Sequence, residues 1–570
     1  MDDQRTGPRP FGGKLDSELV PPIHRRDFLK AAAAAAAAGA LGPASLSGAT
    51  GTARSSPGLA SGMAGAARAL QEVQEAALGN HEPPALQFQA YPGGTGALLE
   101  KLWKEHGGNP FQRTPVDLEP WTGSVPSSEE EIAFLPAHRL GALLRAGHVT
   151  SVELTDMYLD RLRRYDPILL CAVQILEERA REEAQQADAE LRAGHWRGPL
   201  HGVPYGIKDL FAVSGSRTAW GSEAFRDQVL DYDSEIVVRL REAGAVLIAK
   251  LATGEFAQGD RWFRGRTRNP WNPDEGSSGS SAGPGSATAA GLVGFAIGTE
   301  TQGSIVSPAR RTGLSALRPT HGRVSRYGGM VLSWSMDKPG PLCRSIEDCA
   351  HVFHAIHGAD EKDPSTLTTP FRFERGPDLA TYTIGYADDA PEAFLDQLTD
   401  LGASLTRMPE LPEGRSNAIT VEGAAAFEFH VAPDGEPEPL PQDLDDRERR
   451  RRTRFTRGRD VTAVEYVQSQ RRRYLLMKEM QRVMTGFDMF VSGSGHIGLT
   501  NTTGHPSVVV PYGFGIRNPG DDSPTEMPLT TMLIGGLFAD DKILGVAHAF
   551  QRATSWHRRH PNMTSLDGDR

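Results

Sequence analysis

The chain has little cysteine, no excess of positive charge, no apolar run long enough to anchor a mature protein in a membrane, and no internal repeat. Three cysteines in 570 residues, Cys171, Cys343 and Cys349, are too few and odd in number for a disulfide framework. They read as buried free thiols, and stability falls to the large core that this length allows. The formal net charge of -11 argues against a nucleic-acid binder, because phosphate contacts need a basic surface. No HExxH motif occurs, and the histidines of "HVFHAIH" (His351, His354, His357) lack an apparent carboxylate partner, so they read as helix packing rather than metal ligands. Neither a metal nor a cofactor is expected.

What is present is the composition of a soluble globular protein, with 39% hydrophobic and 23% charged residues. The N-terminus stands apart from it. Arg25 and Arg26 are followed by Phe28, Leu29 and Lys30, then by a mild apolar run from Ala31 to Leu41 and a tail of small residues. This order is that of a twin-arginine export signal, assigned to residues 1–53, and it places the mature protein in the periplasm or outside the cell. Residues 54–130 read as a linker with an N-terminal helical extension, and a catalytic domain is expected over residues 131–565.

Within that domain, Thr150 and Glu153 form a capping box ahead of an apolar helical face with Leu154, Met157, Tyr158 and Leu162. Strand signals then alternate with helical ones: "GVPYGIKDLF", "AVLIAKL", "GLVGFAIGT", "YTIGYA", "DMFVSG" and "SVVVPYGF". Continuously apolar runs such as "AVLIAKL" suit strands buried on both faces. The pattern predicts an α/β fold, one large mixed β-sheet flanked by helices on both faces. The arginine run "RERRRRTRFTRGR" follows acidic "DLDD" and reads as a solvated helical face.

Two serine-bearing stretches compete for chemistry. "GSSAG" satisfies the G-x-S-x-G pattern with Ser281 as its formal nucleophile, but a Pro- and Gly-rich loop precedes it where a nucleophile elbow needs a strand. Ser304, in "GFAIGTETQGSIVSPAR", does follow a strand, and the glycines after it let backbone N–H groups converge into an anion-binding nest. No histidine lies near in sequence to either serine. Lys208 sits near the end of the apolar "GVPYGIKDLF", where burial favours the neutral amine that can act as a base. The alternative is a lysine paired with the adjacent Asp209.

These stretches resemble the amidase signature family. The resemblance runs from about Leu135 to Pro561 and includes "GPLHGVPYGIKDLF", "GSSAGPGSATAAGLVGFAIGTETQGSIVSPARRTGLSALRPTHGRVSRYGG", "WSMDKPGPLCRSIEDCA", "NTTGHPSVVVPYGF" and "AHAFQRATSWHRRHP". It implies a serine–cis-serine–lysine triad: Ser304 as nucleophile, Ser280 as the bridging serine after a cis peptide, and Lys208 as base. It places Ser281 where a serine helps hold the lysine, and an oxyanion hole in the N–H groups of Thr301, Gln302, Gly303 and Ser304. The family usually reads "TGGSIR" where this chain has "TQGSIV". Gln302 and Val306 therefore bear on substrate choice more than on reaction type.

The implied activity is amide-bond hydrolysis through an acyl-serine, releasing a carboxylic acid and ammonia or an amine. The alternative from the same resemblance is an A-type amidotransferase chain that works on tRNA-bound substrates, and an inactive binding protein on the same scaffold is the third reading. Expected partners are a small-molecule amide and the twin-arginine export machinery, with a homodimer compatible and no nucleic acid. Residues 215–265 and 365–480 match the family weakly and are expected to shape the pocket. Trp220, Trp262 and Phe263 either line an apolar site there or simply pack.

Overall fold

The computed structural model describes residues 88–106, 117–431, 446–517 and 525–567. The segment read as an export signal and the linker at 54–80 lie outside these residues. The described residues form fifteen strands: β1 (Ala172–Ile175), β2 (Pro204–Lys208), β3 (Val246–Leu251), β4 (Arg261–Trp262), β5 (Gly265–Arg266), β6 (Arg268–Asn269), β7 (Asn272–Gly276), β8 (Phe295–Glu300), β9 (Ser315–Arg318), β10 (Lys338–Cys343), β11 (Ile384–Tyr386), β12 (Leu405–Arg407), β13 (Met489–Ser492), β14 (Ser507–Arg517) and β15 (Thr525–Gly535). Eleven of them make one sheet in the order β1-β3-β2-β8-β10-β9-β14-β15-β13-β11-β12, and β4–β5 and β6–β7 are two small hairpins. The large sheet is mixed, as expected. β2 runs parallel to β3 and to β8, while β10 runs antiparallel to β8.

The six strand-like runs in the sequence each yield a strand, and β2, β3 and β8 are buried along nearly their whole length. β10 was hidden because "KPGPLC" carries two prolines, which cannot donate to a ladder. It survives inside the sheet because its proline-bearing part pairs with β8 alone. β9 meets it only at Leu342 and Cys343.

Helices cover the sheet. The helix Ser151–Leu169 starts at the predicted capping box, with Thr150 Oγ1 accepting from the Glu153 N–H and the Glu153 carboxylate accepting from the Thr150 N–H. The helix Gly94–His106 lies in the region read as an extension, and its buried Leu98 and Leu102 cluster with Leu537 and Phe538. The arginine run forms the helix Asp446–Arg459. It buries Phe455, while Arg454, Arg457 and Arg459 face solvent. Cys171, Cys343 and Cys349 are free and buried. No helix among the described residues is long and apolar enough to cross a membrane.

Candidate active site

Because β2 and β8 are parallel neighbours, with Tyr205 opposite Phe295 and Ile207 opposite Ile297, their C-terminal ends reach the same edge of the sheet. Such edges are where open α/β sheets bind ligands. Lys208 ends β2 there, and Thr299 and Glu300 end β8. Antiparallel β10 begins at that edge, with Lys338 opposite Glu300, and so delivers Asp337 to it. The loop before the helix Ala282–Ala289 brings Ser280 and Ser281 to the same place.

Lys208 is fully buried, and its Nζ donates to Ser280 Oγ at 2.8 Å and to Thr299 Oγ1 at 2.7 Å. The peptide between Gly279 and Ser280 is cis. Burial brings the Lys208 amine down to about 7, although the charges of Asp337 and Glu300 pull the other way. The alternative pairing with Asp209 does not occur. Asp209 points the other way, as alternate residues of a strand do, and meets Lys250 Nζ of β3 at 3.0 Å.

Ser304 is buried, 9% exposed, and its carbonyl accepts from the Ser281 N–H at 3.1 Å. That bond ties the nucleophile candidate to the loop carrying Ser280. Ser281 Oγ donates to the Thr299 carbonyl at 3.0 Å and accepts from the Thr299 N–H at 3.1 Å. Ser281 therefore braces the strand end whose threonine holds Lys208. Its hydroxyl proton is committed to this role, and what precedes it is the β6–β7 hairpin and a short loop, not the strand of an elbow.

The turn between β8 and the helix Val306–Thr312 is closed by Glu300. Its buried carboxylate accepts from the N–H groups of Ile305 and Val306, both at 2.8 Å, and from Arg318 at 3.0 Å and Asn501 at 2.6 Å. Gly303 adopts φ +98°, which favours glycine, and so lets the chain double back inside this ring. The N–H groups of Thr301, Gln302, Gly303 and Ser304 donate to no protein acceptor among the described residues. Thr301 Oγ1 donates to Asp337 Oδ1 at 2.6 Å, and Asp337 Oδ2 accepts from the N–H groups of Leu332 and Ser333. Thr299, Glu300, Asp337 and Asn501 were not singled out from the sequence. All four fall inside blocks that carry the family resemblance, which is the signal that was available.

A cleft of about 1240 Å³ opens beside the turn. Gln302 stands in its wall, and Ser304 does not. A Cβ placed on Gly498 would lie 3.4 Å from Gln302 Nε2, so the carboxamide rests against the helix Ile497–Thr503. The rest of the wall comes from residues 387–388, 407–416, 419, 495–496, 498–499 and 502, with Met336. None of residues 215–265 takes part. Trp262 instead donates its indole N–H to the Leu170 carbonyl and packs edge-on against Phe263, while Trp220 joins a cluster with Phe256, Phe427 and Phe455. His351 faces Glu347 at 3.5 Å, and among the described residues no group of His, Cys, Asp and Glu is arranged to hold a metal ion.

The family model described as Amidase matches residues 153–495. The chain belongs to the amidase family. It is 32% identical over 481 residues to the A-type chain of a glutamyl-tRNA(Gln) amidotransferase of Roseiflexus sp. (strain RS-1), an alignment covering 74% of this chain and 96% of that protein. Among solved structures, the native peptide amidase of Stenotrophomonas maltophilia is 28% identical with a TM-score of 0.63, covering 75% of this chain and 98% of that one. An amidase family protein of Bacillus anthracis str. Ames is 26% identical with a TM-score of 0.65, covering 76% of this chain and 93% of that one. Residues 22–42 match the signal sequence of the twin-arginine translocation pathway, which directs this amide hydrolase to export, to the periplasm or beyond.

Proposed function

We propose that Ser304, Ser280 and Lys208 are the catalytic residues of this amide hydrolase. The observation that carries the reading is the 2.8 Å contact between Ser280 Oγ and a fully buried Lys208 whose amine is brought down to about 7. A serine hydroxyl is a weak nucleophile until a base takes its proton. Neutral Lys208 accepts the Ser280 proton as Ser280 accepts that of Ser304, a relay a hydroxyl can make because it both donates and accepts. Ser304 Oγ bonds to the carbonyl carbon, and the oxyanion gathers the free N–H groups of Thr301, Gln302, Gly303 and Ser304. The proton returns through Ser280 to the leaving nitrogen as the C–N bond breaks, leaving an ester on Ser304. Water then attacks the ester, passes its proton along the same relay and releases the acid. No step calls for a metal or cofactor.

The same reading divides the chain into an export signal at 1–53, an extension at 54–130 and the catalytic domain at 131–565. The amidotransferase alternative draws on the likeness to the Roseiflexus protein. Against it stands the export signal, which takes the chain away from charged tRNA in the cytoplasm. A fluorophosphonate probe tests the assignment. It labels Ser304 in the mature protein and fails on the Lys208→Ala variant. Labelling at Ser281 with Ser304 silent overturns it.

A further inference from the structure

Building on the hydrolase reading, we propose that the cleft beside Gln302 binds an extended peptide chain, and that the substrates are peptide amides rather than fatty or simple aryl amides. Size is the first argument. About 1240 Å³ exceeds the several hundred cubic ångströms that enclose a drug-sized ligand, and a lone small amide would leave most of it wet.

The second argument is the wall from Pro409 to Ser416. It continues from β12, an edge strand of the large sheet, and has no regular structure of its own. Its backbone groups bond to no other backbone group among the described residues. Pro409 and Pro412 have no N–H to give, but the carbonyls and the other N–H groups of this stretch are open to an extended peptide laid along it.

The third argument is charge. Glu410, Glu413 and Arg415 line the cleft exposed, and no ion pair joins any of them to another side chain among the described residues. Arg407 and Asp388 beside them already pair with each other at 2.7 Å. An alkyl chain laid here would strip water from these charges and the open backbone and return nothing. A peptide returns hydrogen bonds along its main chain and ion pairs at its side chains. Two unpaired carboxylates against one guanidinium favour a cationic side chain. Met336, Met408 and Leu411 give the floor adaptable apolar footing. At the inner end, the Gln302 carboxamide both donates and accepts, and so matches a substrate amide next to the nucleophile turn.

The test is ammonia release from amidated mono-, di-, tri- and tetrapeptides of matched sequence, with dodecanamide alongside. The expected result is a kcat/KM rise of about tenfold or more from the single aminoacyl amide to the tetrapeptide amide, with dodecanamide below the tetrapeptide. Lysine-bearing peptides lead glutamate-bearing ones, and the double variant Glu410→Lys, Glu413→Lys reverses that preference. A flat length profile, or dodecanamide leading, overturns the proposal. If Ser304 still takes the fluorophosphonate label, the catalytic assignment survives that result. If no amide is turned over and no label forms, the catalytic assignment fails, and calorimetry with Ser304→Ala still reads the cleft. Binding of the tetrapeptide amide but not of dodecanamide supports it, and no binding of the peptide overturns it.

Discussion

Two lysines on adjacent parallel strands, Lys208 of β2 and Lys250 of β3, are both fully buried, yet their surroundings give them opposite uses. Lys250 has a carboxylate at 3.0 Å, from Asp209, and bonds to the Phe211 carbonyl and Thr218 Oγ1. Lys208 has hydroxyls, those of Ser280 and Thr299, with the carboxylates of Asp337 and Glu300 acting only at longer range. Burial alone lowers both amines. A directly paired carboxylate holds the ammonium in place as structure. Hydroxyl partners leave the amine free to exchange protons near neutral pH. Burial of a lysine therefore says little about its role until its partner is known.

The comparison breaks most sharply on deletion. Lys208→Ala is expected to lower amide turnover by about four orders of magnitude while the protein stays folded. Steady-state kinetics beside a circular dichroism melt reads both quantities, and a fully active variant would end the assignment. Lys250→Ala is expected to do the reverse. It strands a buried Asp209 carboxylate at a cost of about 3–5 kcal/mol, read as a lower urea midpoint.

A smaller effect separates the two lysines by pH. Activity should rise with pH through about 7 as Lys208 becomes neutral. The sign for stability follows from the same depressed value. Between about pH 7 and 10.5 the unfolded chain binds a proton at this lysine that the folded chain does not, so stability rises with pH across that window. Lys208→Met should flatten that rise in urea unfolding measured at several pH values. An unchanged slope would show that the folded amine stays charged.

The mildest test is Asp337→Asn. Asp337 lies behind Thr301 and its charge supports the Lys208 ammonium, so removing the charge should shift the kcat/KM inflection downward. Loosening of the Thr301 bond should lower kcat by about tenfold. A reduced kcat with an unmoved inflection would leave Asp337 a bracing role without an electrostatic one.

Much of this was legible in the sequence. The apolar runs placed β2, β3 and β8, because strands covered on both faces leave a continuous signature. Motif order placed Lys208, Ser280 and Ser304. The prolines of β10 hid a strand that tolerates them only through its one-sided pairing. Thr299 and Asp337 escaped notice because an isolated threonine or aspartate carries no pattern. Each matters only through what the sheet sets against it. The wall of the large cleft comes from within the 365–480 region, through the end of β12 and the irregular stretch 408–416, while the aromatic side chains of 215–265 pack elsewhere.

The sequence by itself determined the family, the export signal and the three residues proposed for catalysis, since these depend on residue types in a fixed order. Tertiary structure decided which buried lysine faces hydroxyls and which faces a carboxylate, and what the Gln302 side chain lines. The physical reason is that a pKa and a cleft arise from groups distant in the chain. Lys208 and Ser280 are 72 residues apart, and only the folding of the sheet brings them to 2.8 Å.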